Sequence, residues 1–233
     1  MNDMKPLEIN DVTFDEYKAW FEKYKNNKDV REIKIQNEVV KRFISETCPN
    51  LDVEACDNKG PESPNHNYLQ YCGTYIDKGK KKPSTPDLVI AKNWNWLNEE
   101  NNVDYRAVVE VKSPYLDQPI YNKEYQKYRE KLKIKLRLHF SARDNDKVIL
   151  TDALKWEFYK KNEKENELVP IRTFRLYDLC GGRGKWEWKK GELEIVEDDV
   201  IKEIFNSPLE RTKPVKEFEE LKAFLIEFLY KED

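Results

Sequence analysis

Along FDEYKAWFEKYK (14–25) the apolar side chains Phe14, Tyr17, Trp20, Phe21 and Tyr24 recur at three- and four-residue steps. That is the period of an amphipathic helix, and Thr13 and Asp15 supply the polar groups that start one. A second helix is predicted over about 31–47, with Ile33, Val39, Val40, Phe43 and Ile44 as its stripe and Glu38 among them. The period then falls to two. LDVEACD (51–57) predicts a short strand, and PDLVIAKN (86–93) and YRAVVEVKS (105–113) predict two apolar strands whose polar connection suggests an antiparallel pair. Between them, the Gly-, Pro- and Asn-rich stretch 58–85 reads as a loop, with room for a strand around Tyr68 to Tyr75.

Residues 117–140 satisfy both periods: Tyr121, Tyr125, Tyr128 and Leu132 are spaced as on a helix, whereas KLKIKLRLHF alternates. A helix is favoured, ending near Leu132 or running on to His139. KVILTD and KWEFYKK then predict two successive strands, with Thr151, Asp152, Trp156 and Phe158 as core and turn residues. Beyond the charged break at 162–167, strands are expected in IRTFRLYDL and WEWKKGELEIV, and helices at about 198–206 and 214–230. The last helix has an acidic polar face, which suits packing on a sheet better than lying on a membrane.

At 233 residues and 39% apolar content the chain can bury one core, so 1–233 reads as a single domain with an extension from about 163. Charge changes the picture less than its amount suggests. Charged residues make up 37%, but 42 basic and 45 acidic side chains leave a net charge of -3, so any nucleic-acid contact must come from a local basic surface. Four Cys without C-x-x-C spacing and two His give little support to a zinc site or a disulfide framework. With no apolar h-region in MNDMKPLEIND and no apolar run of membrane-spanning length, a cytoplasmic protein is expected.

Glu-x-Lys occurs five times, at Glu16, Glu32, Glu110, Glu187 and Glu220. Only Glu110 and Lys112 lie in a buried apolar strand, where a spacing of two aims both side chains to one side. A carboxylate buried there needs a compensating partner. Pro86-Asp87 opens the neighbouring strand, and antiparallel pairing can bring Asp87 beside Glu110. Two adjacent carboxylates suit a divalent cation that prefers oxygen, Mg²⁺ or Mn²⁺, with the Val111 carbonyl as a further ligand. A cation so held activates water against a phosphodiester, and Lys112 would position that water or neutralise the phosphorus centre.

Here the chain resembles the PD-(D/E)XK nuclease superfamily, on Pro86-Asp87 followed 23 residues later by Glu110-Val111-Lys112. VEVKSP and VILTDALKWEFYK are similar to the nuclease regions of type I restriction subunits and their stand-alone relatives. The likeness covers about residues 30–162. It implies a restriction-endonuclease-like α/β core, consisting of a helix, a three-stranded antiparallel meander, a crossover helix and a further strand, and the order read from periodicity matches. It also implies that a Glu of the first helix, here Glu38, assists the metal. In place of the Gln-x-x-x-Tyr of the restriction subunits, the sequence offers Gln118 with Tyr121 and Gln126 with Glu130, of which Gln126 is carried as a supporting substrate contact.

The expectation is therefore a Mg²⁺-dependent DNA endonuclease of restriction or defence. Asp87, Glu110, Lys112 and Glu38 would be its site, and Lys78, Lys80, Lys81 and Lys82 its phosphate contacts. Three alternatives stay open: an RNA-directed nuclease, a noncatalytic nucleic-acid-binding module within a larger complex, and a dimer or assembly with partner subunits. Trp94 and Trp96 could stack on bases or serve as packing, and Asp57 could add a further acidic ligand.

Overall fold

The computed structural model describes residues 12–29, 31–56, 73–95, 102–114, 123–142, 145–161, 168–181, 185–196 and 209–230. Asp57, Tyr68, Trp96, Gln118, Tyr121 and the helix expected at 198–206 lie outside them, as do the side chains of Lys81 and of residues 123–130.

The chain forms an α/β fold around a six-stranded mixed sheet. Helix α1 (Phe14–Asn26) opens it, with Thr13 and Glu16 capping one another's backbone N–H groups at its start. The second predicted helix is continuous in three pieces, α2 (Glu32–Ile35), a π-helical stretch (Gln36–Lys41) and α3 (Arg42–Thr47). Strand β1 (Asp52–Ala55), the hairpin β2 (Gly73–Asp77) and β3 (Lys80–Ser84), then β4 (Leu88–Lys92) and β5 (Asp104–Val111) follow. Helix α4 (Lys123–His139) crosses over to β6 (Lys147–Thr151), followed by β7 (Lys155–Lys160) and β8 (Arg172–Arg175). The sheet order is β1-β4-β5-β6-β7-β8, with β5 and β6 parallel and every other neighbouring pair antiparallel. Two small hairpins, β9 (Tyr177–Leu179) with β10 (Trp186–Trp188) and β11 (Leu193–Val196) with β12 (Leu209–Thr212), precede α5 (Lys216–Leu229).

Alternation along the strands divides the core in two. Leu88, Ile90, Ala107, Val109, Val111 and Ile149 face α1, the second helix and α5, where Tyr17 and Phe43 meet with ring centroids 5.0 Å apart and Phe43 meets Trp156 at 5.3 Å. Val89, Val108, Val148 and Leu150 face α4 through Leu132, Leu136 and Phe140. That last spacing settles the ambiguous segment: positions four apart meet the sheet, so the helix runs to His139 and the alternating lysines are spread around it. Because Phe218, Leu221, Leu225 and Phe228 of α5 join the first core, the C-terminal extension is part of the same packed unit. No helix among the described residues is long and apolar enough to cross a membrane.

Within the stretch expected as loop, the structure forms a hairpin at 73–84, whose first strand overlaps the strand given room around Tyr68 to Tyr75 and whose second replaces loop. Lys78 (φ 49°) and Gly79 (φ 76°) form the two-residue turn of a hairpin, the geometry whose twist matches paired strands. Its second strand, KKKPS, has no apolar alternation and contains Pro83, tolerable because the ribbon has only two strands. The hairpin is pinned to α4 where a Cβ on Gly73 would lie 1.3 Å from the Leu138 carbonyl oxygen, and the Thr74 N–H donates to Ser141 Oγ at 3.2 Å.

Between β6 and β7 the chain turns through Ala153, at φ 68°. The fully buried Asp152 carboxylate accepts the N–H groups of Leu154 (3.0 Å) and Lys155 (2.7 Å), and the Tyr17 hydroxyl donates to the Ala153 carbonyl. Asp152→Ala leaves those N–H groups buried without an acceptor and is expected to lower unfolding free energy by about 2–3 kcal/mol in urea titrations, with Asp152→Asn recovering most of the loss.

Candidate active site

Antiparallel pairing of Leu88 with Val109 and Val89 with Val108 fixes what lies beyond the end of β4. Continuing that register sets Asp87 opposite Glu110, and the Asp87 N–H donates to the Val109 carbonyl at 3.0 Å. Asp87 turns its Oδ2 onto the Val111 N–H at 2.6 Å, and its own carbonyl accepts Gln36 Nε2 at 3.1 Å. Thus the two carboxylates named by the sequence meet at the ends of adjacent strands, on the side of the sheet where α4 ends.

Glu110 has no solvent exposure. Its Oε1 is 2.6 Å from Lys112 Nζ and 2.6 Å from Lys135 Nζ, and its Oε2 is 3.2 Å from His139 Nε2. Burial pushes its carboxyl up, but the His139 hydrogen bond and the Lys112 and Lys135 charges more than offset this and hold it down at about 2. Asp87 goes the other way: burial and the Glu110 charge raise it to about 7, against the smaller opposing effects of Lys135, Lys112 and the Val111 N–H. Burial works against the Lys112 ammonium, yet Glu110, Asp87 and Glu32 together keep it more firmly protonated than a free lysine. In this state Lys112 is a fixed cation, able to hold negative charge but not to remove a proton.

The same ammonium also donates to the Val111 carbonyl at 2.7 Å and lies 3.5 Å from Glu32 Oε2. It therefore sits on two of the oxygen groups expected to be ligands. Glu38 requires a correction: it is exposed, and among the described residues no ion pair or hydrogen bond ties it to Asp87, Glu110 or Lys112. Glu32 and Gln36, one turn apart, face the site instead, and Glu38, two residues further along, is turned away. Lys78, Lys80 and Lys82 are exposed on the hairpin, with Lys82 paired to Asp77. Gln126 lies on α4, and its side chain, like that of Lys81, is outside the described residues. Trp94 packs against Tyr105, ring centroids 6.4 Å apart, as a packing residue.

Lys135 and His139 were missed by the sequence reading. They are one helical turn apart on α4, so both reach Glu110 only if the segment is a helix to its end. The available signal was a basic residue and one of the chain's two histidines at a spacing of four, after the strand that carries the Glu. The Nδ1 of the fully buried His139 has no hydrogen-bond partner among the described residues.

Among the described residues no group of three or more His, Cys, Asp or Glu side chains is arranged to hold a metal ion. The donors present are two carboxylates and a carbonyl, hard oxygens that suit a Mg²⁺ retaining most of its waters rather than a closed cage. Comparison with protein-family profiles, curated proteins and solved structures finds no match to this chain.

The two acids affect stability with opposite sign. Glu110 contributes above its ordinary value of 4.5, and the contribution is lost as pH falls through about 2. Asp87, ordinarily 3.8, leaves the fold at its best below that pH, and stability is lost as pH rises through about 7. Asp87→Asn keeps an acceptor for the Val111 N–H but cannot ionise. Without divalent cations it is expected to be more stable than wild type by about 1–3 kcal/mol at pH 8, and equal to it near pH 4, in denaturant titrations.

Proposed function

We propose that this protein is a metal-dependent nuclease of the PD-(D/E)XK type that hydrolyses phosphodiester bonds in DNA. One observation carries the reading: a half-buried carboxylate, Asp87, and a fully buried one, Glu110, converge from adjacent strands beside a lysine ammonium that lies on Glu110 and the Val111 carbonyl. An ion pair serving stability alone would need one acid and one base. Here a second acid is kept at a cost, with its carboxyl raised to about 7, and groups held at such a cost cluster at functional sites. The element order supports the same reading, since the helix, the antiparallel run β1-β4-β5, the crossover α4 and the parallel β6 follow the layout that the resemblance implies.

Asp87, Glu110 and the Val111 carbonyl would hold Mg²⁺. When bound, the ion polarises the phosphodiester and lowers the pKa of a water. With the ion held there, Lys112, 3.5 Å from Glu32, would be placed to offset charge building on the phosphate oxygens. Lys135 and His139 fix the Glu110 carboxylate from the α4 side, so that its orientation does not depend on the ion.

A second reading, a noncatalytic nucleic-acid-binding module, draws on the same contacts, because Lys112 and Lys135 already neutralise Glu110 without any metal. Purified protein assayed with Mg²⁺ or Mn²⁺ on supercoiled plasmid, single-stranded DNA and RNA separates the two. Metal-dependent cleavage is expected, falling by about 100-fold or more in Asp87→Ala and in Lys112→Ala. Cleavage unchanged in both variants removes the site assignment, and its absence from wild type on every substrate favours the binding module.

A further inference from the structure

A groove of 840 Å³ runs from Asp87 between the β2–β3 hairpin and helix α4. Tyr75 and Pro83 stand on the hairpin side, and Lys131, Ile134 and Lys135 on the helix side. Its apolar surface is unusual for a place so close to charged groups: Tyr75 is 41% exposed and Ile134 55% exposed. Neither is needed to hold the hairpin in place, because that anchorage lies at Gly73, Thr74 and Ser141.

Strand register sorts the charges. Tyr75 pairs with Lys82 and Asp77 with Lys80, so Tyr75, Lys80 and Lys82 share one hairpin face, with Asp77 offsetting Lys82. Across the groove, Lys131 and Lys135 are one turn apart on α4, on opposite sides of Ile134 in the sequence. Glu32 and Asp87 are the acids that line it, both at the end where Lys112 lies. Cations therefore flank an aromatic ring and an aliphatic side chain, and the acids are gathered at the catalytic end.

We infer that this groove binds a single strand of nucleic acid, stacking an unpaired base on Tyr75 and Ile134 while lysines follow the phosphates into the site. The inference rests on the nuclease reading for the fate of the strand, not for its binding. A duplex keeps its base faces stacked inside and presents phosphates and groove edges, so it would leave Tyr75 and Ile134 against water. A single strand offers base faces to aromatic and apolar side chains and phosphates to a cationic track at once. The substrate class is thus single-stranded nucleic acid, or the unpaired portion of a frayed or branched duplex.

The test is fluorescence anisotropy with one labelled oligonucleotide, presented as single strand and as annealed duplex. It is run on the Asp87→Asn protein so that cleavage does not consume the probe. The single strand is expected to bind at least about tenfold more tightly than the duplex; adding Tyr75→Ala should weaken it by about 5- to 100-fold, and Tyr75→Phe, which keeps the ring, by less than about twofold. Equal or tighter duplex binding, or unchanged affinity in Tyr75→Ala, overturns the inference. Cleavage by wild type is scored separately on both forms. A protein that cuts duplex in preference keeps the nuclease reading and loses this one, whereas Tyr75-dependent capture of the strand without cleavage under any divalent cation does the reverse.

Discussion

A carboxylate wholly removed from water has to be matched from inside the protein, and Glu110 is matched by Lys112, just past the end of its own strand, and by Lys135 and His139 from α4. These contacts tie the end of β5 to the last turns of the crossover helix. Breaking one of them would leave charge buried without its partner, a cost comparable to a large share of a domain's stability. The helix register on the sheet is therefore fixed electrostatically at one end and by Leu132, Leu136 and Phe140 along its length. The strand-end geometry that brings Asp87 opposite Glu110 depends on that same fixed β5.

The site's two acids show how position sets chemistry. Glu110 is fully buried and held near 2 by His139, Lys112 and Lys135, whereas Asp87, half-buried, is raised to about 7 by desolvation and the Glu110 charge, which Lys135 and Lys112 offset only in part. Positive charge is thus concentrated on one of the two carboxylates, and the other keeps the higher value.

Much of this was legible in the sequence where one period dominated. Strands β4 to β7 and helices α1 and α5 follow from short apolar runs or clean three-four spacing, and Asp87 with Glu110 followed from pairing two such strands. Where two periods competed, the reading stopped short. The lysines of KLKIKLRLHF suggest a strand face until Leu132 and Leu136 are seen to pack, and only then do Lys135 and His139 point at Glu110. The hairpin escaped because β3 is almost entirely basic and pairs only with β2, so its sequence carries no burial signal. Glu38 was carried over from the resemblance rather than from period, and in the structure it is exposed, with Glu32 and Gln36 of the same helix facing the site instead.

The π-helical stretch Gln36–Lys41 carries one residue more than an α-helix of the same rise would need. Residues before it, among them Glu32 beside Lys112, and residues after it, among them Phe43 in the core, are each oriented by that extra residue. If the same residues were wound as an ordinary α-helix, the half after the stretch would be turned by about 100° relative to the half before it. The π turn is consequently what lets one helix of this length face the site with Glu32 and the core with Phe43 at once, absorbing a residue that straight winding would have spent on rotation.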